Sequence, residues 1–297
     1  MHLVIGVLVL LFSQDMPDGN YRELKASGLM HKPKTAGAFM AAVTNYRAWV
    51  LAITYGYGFG VELTVDNVIA QYLYDQFNLS LSDAGMYGSL FGLMNIFTRA
   101  SGGVVSDLAG RYMGMRGRIW SLWIIQTLGG VFCVALGLSS NSLGLTMGML
   151  VIFSIFCQAA CGCSYGVVPF VSKRGMGQVS GLVGAGGNAG AAVTQAIFFT
   201  PASLSVADGF KWMGVMIIGV TLLLFVIYFP MWGGMLCAAK EGVTEEDYYL
   251  AEFTPEERAQ GMHSASVKFA YESKSQRGWA KGAEAQAAMN GVKSVAV

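Results

Sequence analysis

Charged residues are scarce in this chain. Only 12% of its 297 residues are Asp, Glu, Lys or Arg, which is about half the fraction found in soluble domains. Hydrophobic residues make up 54%, and the mean hydropathy is +0.49. Glycine is abundant, with 39 residues, which suits helices that pack closely in lipid. The composition excludes an ordinary soluble domain and predicts an all-α, polytopic membrane protein.

Residues typical of metal and catalytic centres are also few. The chain has three histidines, and none of them lies within a complete apolar run. The five cysteines show no zinc-type spacing. The first four, Cys133, Cys157, Cys161 and Cys163, lie in apolar segments, so we interpret them as small packing residues. We therefore expect no metal site and no cofactor, and we expect that the protein is not an enzyme.

Positive charge is nearly absent from every second loop. Segments 13–46, 106–118 and 170–178 hold four, three and two Lys or Arg residues, whereas the loops between the apolar runs on the other side hold none, none and one. Cytoplasmic loops of membrane proteins carry the excess of Lys and Arg. We therefore predict that segment 106–118 and the tail 233–297 are cytoplasmic.

Long apolar runs follow one another through most of the chain. At about 1.5 Å per residue, about 20 residues cross the hydrocarbon of a bilayer. The runs predict helices over 48–74, 84–105, 119–138, 143–169, 179–200 and 212–232. Of these six runs we count five as complete transmembrane helices in 47–232, preceded by the stub of an earlier helix, 1–12, and by a cytoplasmic loop, 13–46.

The tail, 233–297, is polar. The capping box Thr254–Glu257, with Pro255 in the first helical position, predicts the start of a short helix. Beyond about residue 265 the composition favours disorder. We expect a solvated tail, with a regulatory or partner-binding role as the alternative.

One full charge, Arg99, lies inside the apolar run 84–105. A charge there costs about 2.5–3.5 kcal/mol on insertion scales, so it usually faces protein or a water-filled cavity. Small and polar residues recur on its face of the helix at steps of four and three: Gly88, Gly92, Asn95, Gly102 and Ser106. Arg99 lies eight residues before Asp107, about 12 Å deep by helical rise, and the alternative is that it snorkels to the headgroups.

Polar and aromatic residues on two other predicted helices reach similar depths, about 10–17 Å by helical rise. They are Tyr55, Phe59 and Asn188, the last among the glycines Gly184 and Gly187. Guanidinium forks match oxyanions, and aromatic faces can cover a flat group. Gly186 and Gly190 have the spacing of a close helix contact. Together these residues resemble a site for a small planar anion, although packing explains each of them singly.

Two carboxylates, Glu62 and Asp66, share the face of Tyr55 and Phe59. Carboxylates are expensive inside a membrane and are often functional there. We predict that they contribute to proton coupling. The alternative, for Asp66 and also for Glu62, is that the carboxylate lies near the outer surface and is solvated.

Several motifs together resemble a known transporter family. Gly103–Arg111, with Arg116 and Arg118 after it, resembles the cytoplasmic loop motif of the major facilitator superfamily. The glycine-rich run Gly181–Gly190 looks like the signature of the nitrate/nitrite porter family. The segments FGVELTVDN, FTRASGG and EEDYYLAEFTPEERAQGMHSASVKFA look like its plant and algal high-affinity branch.

The resemblance implies proton-coupled transport of nitrate, or nitrite, across the plasma membrane by alternating access. It implies that the substrate contacts Arg99, Tyr55, Phe59, Asn188, Gly184 and Gly187, and that Asp107 and Arg111 act as a conformational latch. It also implies the six-helix C-terminal half of a twelve-helix fold, so we expect a fragment rather than a true half-transporter.

The expected partners are nitrate or nitrite, protons, the missing N-terminal half, membrane lipid and an accessory subunit. No nucleic acid is expected. Two other functions stay open at this point: a facilitator for another small anion, and a non-transporting membrane partner or sensor.

Overall fold

Helices account for almost all regular structure in the computed structural model, which describes residues 2–14, 20–26 and 35–272. In chain order the α-helices are α1 His2–Phe12, α2 Tyr21–Ala26, α3 Thr35–Val43, α4 Tyr46–Gly56, α5 Phe59–Phe77, α6 Leu81–Leu93, α7 Asn95–Met113, α8 Met115–Leu138, α9 Leu143–Tyr165, α10 Met176–Thr194, α11 Val206–Thr221, α12 Glu245–Leu250, α13 Pro255–Ala259 and α14 Ser264–Glu272. Short 3-10 or π turns follow α9, α10 and α11 at Val168–Phe170, Gln195–Phe199 and Leu222–Val226.

Six helical rods lie between residues 46 and 226, one more than the five spans counted from the sequence. Helices α4 and α5 form one rod, and α6 and α7 form another, because each predicted helix is interrupted once. The other four rods are each long and apolar enough to cross a membrane by themselves. Helix α1, in the predicted stub, is apolar and has no buried residue.

Two boundaries differ from the sequence prediction for local reasons. The run 84–105 continues as helix to Met113 and stops at Gly114, whose φ of +63° favours glycine. The last rod ends at Val226 rather than at 232, because the chain then turns into an antiparallel strand pair, β1 (Tyr228–Phe229) and β2 (Gly233–Gly234).

Glycines allow the rods to approach closely where they cross. A Cβ on Gly186 would overlap the Ala52 carbonyl on α4, and one on Gly190 would overlap the Gly56 backbone. The close contact predicted from the Gly186 and Gly190 spacing is therefore confirmed. Helices α7 and α9 meet in the same way, with Gly102 against the backbone of Ala159.

The contact of Gly102 predicts a measurable loss of stability on adding one methyl group. In Gly102→Ala the new Cβ overlaps the Ala159 backbone, and forcing extra volume into a packed core costs about 1–3 kcal/mol. The neighbouring Gly103 has nothing within 4 Å of such a Cβ, so Gly103→Ala is the matched control. Thermal unfolding of the purified variants in detergent measures the difference, and equal melting temperatures would contradict the close contact.

The described part of the tail packs on the rods instead of extending into solvent, which corrects the expectation of a solvated tail. Arg116, at the start of α8, donates to the carbonyls of Gly234 and Cys237 at 3.0 and 2.8 Å. Arg174, after α9, donates both terminal nitrogens to the carboxylate of Glu257 at 2.7 and 2.8 Å. Segment 106–118 and the tail therefore lie at the same end of the bundle.

The tail helices follow their capping signals. Thr254 accepts from the Glu257 N–H, and the Glu257 carboxylate accepts in return from the Thr254 N–H, so the predicted capping box is confirmed. Burial raises the pKa of the nearby Glu252 carboxyl, and hydrogen bonds from Ser172 and Arg174 act in the opposite direction. The predicted disorder beyond residue 265 is wrong as far as Glu272, where α14 ends, and residues 273–297 lie outside the described part of the chain.

Candidate functional site

An ion pair between α5 and α7 forms the centre of the polar residues inside the bundle. The Nη2 atom of Arg99 lies 2.8 Å from Oε1 and 2.6 Å from Oε2 of Glu62. The Glu62 side chain is only 5% exposed, whereas the Arg99 side chain is 37% exposed. Arg99 thus pairs inside the bundle, as the cavity-facing interpretation predicts, rather than extending towards a helix end.

Two further side chains hold the Glu62 carboxylate. Asn95 donates from Nδ2 to Oε1 of Glu62 at 2.7 Å and accepts from Nε of Arg99 at 3.0 Å. The thiol of Cys161 on α9 lies 3.6 Å from Oε2 of Glu62. These contacts offset the cost of burying the carboxylate. Within the described residues, Nη1 of Arg99 makes no hydrogen bond, so one edge of the guanidinium is left for another acceptor.

The roles of Asn95 and Cys161 were not predicted from the sequence. The sequence places Asn95 only on the polar face of its helix, and it indicates a packing residue at Cys161. Their signal is the spacing of four that separates Asn95 from Arg99 and Cys161 from Tyr165, which puts each pair on one helix face. The other three membrane cysteines are buried, as expected for packing residues.

Aromatic rings flank the ion pair. Tyr55 and Phe59 are stacked, with centroids 5.4 Å apart and planes at 14°. The guanidinium carbon of Arg99 lies 5.3 Å from the centroid of Phe59. Tyr165 meets Tyr55 edge-on at 5.5 Å. A cation over an aromatic face is stabilised by the ring quadrupole, and the flat ring gives the guanidinium a fixed orientation.

Gly187, on α10, packs against the stacked rings of Tyr55 and Phe59. A Cβ there would lie 2.7 Å from Phe59 and 3.1 Å from Tyr55, so only glycine lets α10 pack against both rings. The structure thus brings Tyr55, Phe59, Glu62, Arg99 and Gly187 together, on four helices.

Three other predicted residues do not join the cluster. Asn188 is exposed and donates to the Gly184 carbonyl in its own helix at 3.2 Å. A Cβ on Gly184 would meet nothing within 4 Å. Asp66 is exposed one turn beyond Glu62, beside Gly92 of α6. In the part of the chain that the structure describes, no hydrogen bond or ion pair joins any of the three to Arg99 or Glu62.

A second ion pair lies at the end of the bundle that carries the tail. The carboxylate of Asp107 is 2.7 Å from Nη2 of Arg118, whose side chain is 4% exposed. Arg118 also donates to the Gly166 carbonyl at 3.2 Å. The structure therefore gives Asp107 the partner Arg118 on α8, whereas the sequence motif pointed to Arg111, which is exposed on α7.

The chemistry available in this cluster is binding and proton exchange. The described residues contain no group of His, Cys, Asp and Glu that could hold a metal ion. The Nη1 group of Arg99 can donate to a bound anion, and Glu62 can take up or release a proton beside it.

The chain is similar to one protein family and to several named transporters. Residues 1–195 match the family described as the Major Facilitator Superfamily. The chain is 57% identical over 288 residues to "Nitrate transporter 2.1" of Chlamydomonas reinhardtii, which covers 94% of this chain and 52% of that protein. It is 50% identical over 271 residues to "High affinity nitrate transporter 2.5" of Arabidopsis thaliana, 91% of this chain and 54% of that protein.

More distant similarity covers less of the chain. "Nitrate/nitrite transporter NrtP" of Nostoc punctiforme is 32% identical over 151 residues, 50% of this chain and 29% of that protein. No solved structure gives a significant match. The chain spans about half the length of the nitrate transporters of Chlamydomonas reinhardtii and Arabidopsis thaliana named above.

Proposed function

We propose that this chain, which belongs to the major facilitator superfamily, forms one half of a membrane transporter for nitrate, with nitrite as a second substrate. The observation that carries the proposal is the half-exposed guanidinium of Arg99, held from behind by Glu62 and Asn95 and covered on one side by Phe59. Planar guanidinium edges match planar oxyanions. The names of the similar proteins select nitrate among such anions.

Charge balance supports coupling of the anion to a proton. The pair of Arg99 and Glu62 is neutral, so an added anion would leave one uncompensated negative charge inside the membrane, where a charge costs about 2.5–3.5 kcal/mol. Protonation of Glu62 restores neutrality and releases Nη2 of Arg99 for the anion. Glu62 is therefore the first proton-coupling residue that we propose. Asp66, one turn along α5, is the second.

The exposed position of Arg99 supports a partner across the site. Secondary transporters bind their substrates near the bilayer midplane, between two pseudo-symmetric repeats. Asn188 and Tyr165 are exposed, and Gly184 has open space beside it. We propose that these residues face the second set of helices. The anion would bind between that set and Arg99, with Asn188 and Gly184 on its α10 side and with Gly187 behind the Tyr55 and Phe59 rings that it contacts.

The second ion pair supports a latch between helix ends. Asp107 on α7 and Arg118 on α8 are joined across the turn at Gly114. A pair at this position holds two helix ends in one arrangement, and its separation would accompany the change of access. We propose that Asp107 acts with Arg118 in this role, and that the exposed Arg111 takes part in the other state.

Co-expression of two halves tests the proposed function. Cells that lack nitrate uptake would receive this chain alone, or this chain with the N-terminal half of the Chlamydomonas relative. We expect saturable uptake of isotope-labelled nitrate only from the pair. The C-terminal half of the relative, with the same partner, is the positive control. Uptake in that control and none with this chain, at equal amounts in the membrane, would reject the proposal.

Orientation in the plasma membrane can be measured with single cysteines. Tyr112, 80% exposed at the end of α7, and Asn141, exposed between α8 and α9, lie at the two ends of α8. We propose that the Tyr112 end and the tail are cytoplasmic, from the distribution of Lys and Arg. In a background without the exposed Cys237, an impermeant maleimide should label Asn141→Cys in intact cells and leave Tyr112→Cys unlabelled. The reverse pattern would invert the topology.

A further inference from the structure

Both broken rods are interrupted directly beside the ion pair. The first break, Tyr57–Gly58, comes four residues before Glu62. The second, Met94, comes immediately before Asn95 and five residues before Arg99. The direction in which α5 and α7 leave these breaks therefore sets the positions of all three polar side chains.

At the first break a buried glutamine caps a backbone carbonyl. In a continuous α-helix the Thr54 carbonyl would accept from the Gly58 N–H. Here the Gly58 N–H binds the Tyr55 carbonyl at 3.1 Å, and Thr54 accepts from the Tyr57 N–H at 3.1 Å. Gln126, on α8, adds a hydrogen bond from Nε2 to the Thr54 carbonyl at 2.9 Å. Gln126 is only 2% exposed.

The second break has the same arrangement. In a continuous helix the Phe91 carbonyl would accept from the Asn95 N–H. Instead it accepts from Nε2 of Gln158 on α9 at 2.7 Å and from the Ser154 hydroxyl at 2.8 Å. On the far side of the break, the Thr98 hydroxyl lies 2.7 Å from Oε1 of Gln158. Gln158 is fully buried and spans the interruption.

One turn of α9 contacts both breaks. Cys157, the residue before Gln158, places its thiol 3.5 Å from the carbonyl of Gly58, which is part of the first break. Cys161, one turn on, contacts Glu62. The Thr54 carbonyl keeps the Tyr57 N–H as a partner, whereas the Phe91 carbonyl is bound by side chains. Each side-chain hydrogen bond to these carbonyls contributes about 0.5–1.5 kcal/mol, so a helix broken in an apolar bundle is stabilised by such donors. The neighbouring helices supply them at the two places where the site requires a change of direction.

We propose that Gln126 and Gln158 are positioning residues of the anion site. Their hydrogen bonds to the Thr54 and Phe91 carbonyls stabilise the interrupted form of both rods. The two interruptions set the distance between Glu62 on α5 and Arg99 on α7. The capping itself is independent of the substrate, whereas its effect on nitrate affinity rests on the proposed function.

Hydrogen exchange of the purified chain tests the capping. Gln126→Met and Gln158→Met keep the length of the side chain and remove its donor. Loss of one such bond is expected to speed amide exchange by about 3- to 10-fold at 57–62 in the first variant and at 94–99 in the second. Each variant is the control for the other break. Unchanged exchange at the targeted break, or equal acceleration in all the rods, would overturn the proposal.

Transport kinetics test the positioning. In the two-half system, both variants should raise the KM for nitrate by about 3- to 10-fold, with the same amount of protein in the membrane. Gln71→Met, which removes an exposed contact to Asp75 on α5, should leave the KM unchanged. Faster local exchange with an unaltered KM would overturn the positioning role. If the unsubstituted pair of halves transports no nitrate, the proposed function fails, and the exchange experiment still decides whether the glutamines cap the breaks.

Discussion

Replacing Arg99 by lysine is expected to lower nitrate uptake severely while the protein still reaches the membrane. Lysine keeps the charge but loses the planar fork that binds two acceptors at once. In the structure Arg99 uses Nε for Asn95 and Nη2 for Glu62, and it presents a further edge to the open face. One ammonium group cannot reproduce these directions. Since a hydrogen bond to a charged group contributes about 1.5–3 kcal/mol, uptake should fall by about 10- to 100-fold.

The measurement is initial uptake of labelled nitrate by the two-half system, with the amount of each half in the membrane determined in parallel. Arg258→Lys is the matched control, because Arg258 is an exposed arginine in the tail that donates to the nearby Phe253 carbonyl. Normal uptake by Arg99→Lys would make Arg99 a structural residue, and the substrate would then have to bind elsewhere.

Glu62→Gln is expected to remove the pH dependence of uptake. The amide has nearly the shape of the carboxyl group and stays neutral, so Arg99 no longer has an internal counter-ion. Nitrate should then bind equally well at low and high pH. In the unsubstituted protein, uptake should fall as the pH rises, because deprotonated Glu62 competes with nitrate for the guanidinium. Acid influx driven by nitrate should be lost to a greater extent than nitrate binding.

Asp66→Asn, measured beside it, separates the two carboxylates. Asp66 is exposed one turn from Glu62 and is not among the residues that bind Arg99, so its loss should change the pH profile less than the loss of Glu62 does. If Glu62→Gln keeps the normal profile and Asp66→Asn loses it, Asp66 carries the proton. If both variants keep it, neither carboxylate does.

Part of the site was predictable because depth along a helix can be calculated from sequence. The common depth of Arg99, Tyr55 and Phe59 follows from a constant rise per residue, and these residues do meet in the structure. Asn188 was expected at the same depth, but its side chain is exposed and turned to its own helix. Depth alone does not give the rotation of one helix about its axis relative to another, which packing decides.

The two helix interruptions, at Tyr57–Gly58 and at Met94, could not be predicted from the local sequence either. Gly58 is one of several glycines on its rod, and Met94 lies in a run with ordinary helix-forming residues, so neither position is distinctive locally. The breaks form because Gln126, Ser154 and Gln158 bring hydrogen-bond donors from α8 and α9. Those donors are far from the breaks in sequence, and no local pattern contains them.

By itself, the sequence determined the helical membrane class, the glycine contact at Gly186 and Gly190, the capping box at Thr254 and the position of one charge, Arg99, inside the bundle. These features depend on composition and on periods within a single helix. The tertiary structure alone decided that Arg99 pairs with Glu62, that Asp107 pairs with Arg118 and that the tail docks through Arg116 and Arg174. Each of these is a contact between distant segments, and a charge buried in a low-dielectric bundle takes whichever partner the packing brings within reach.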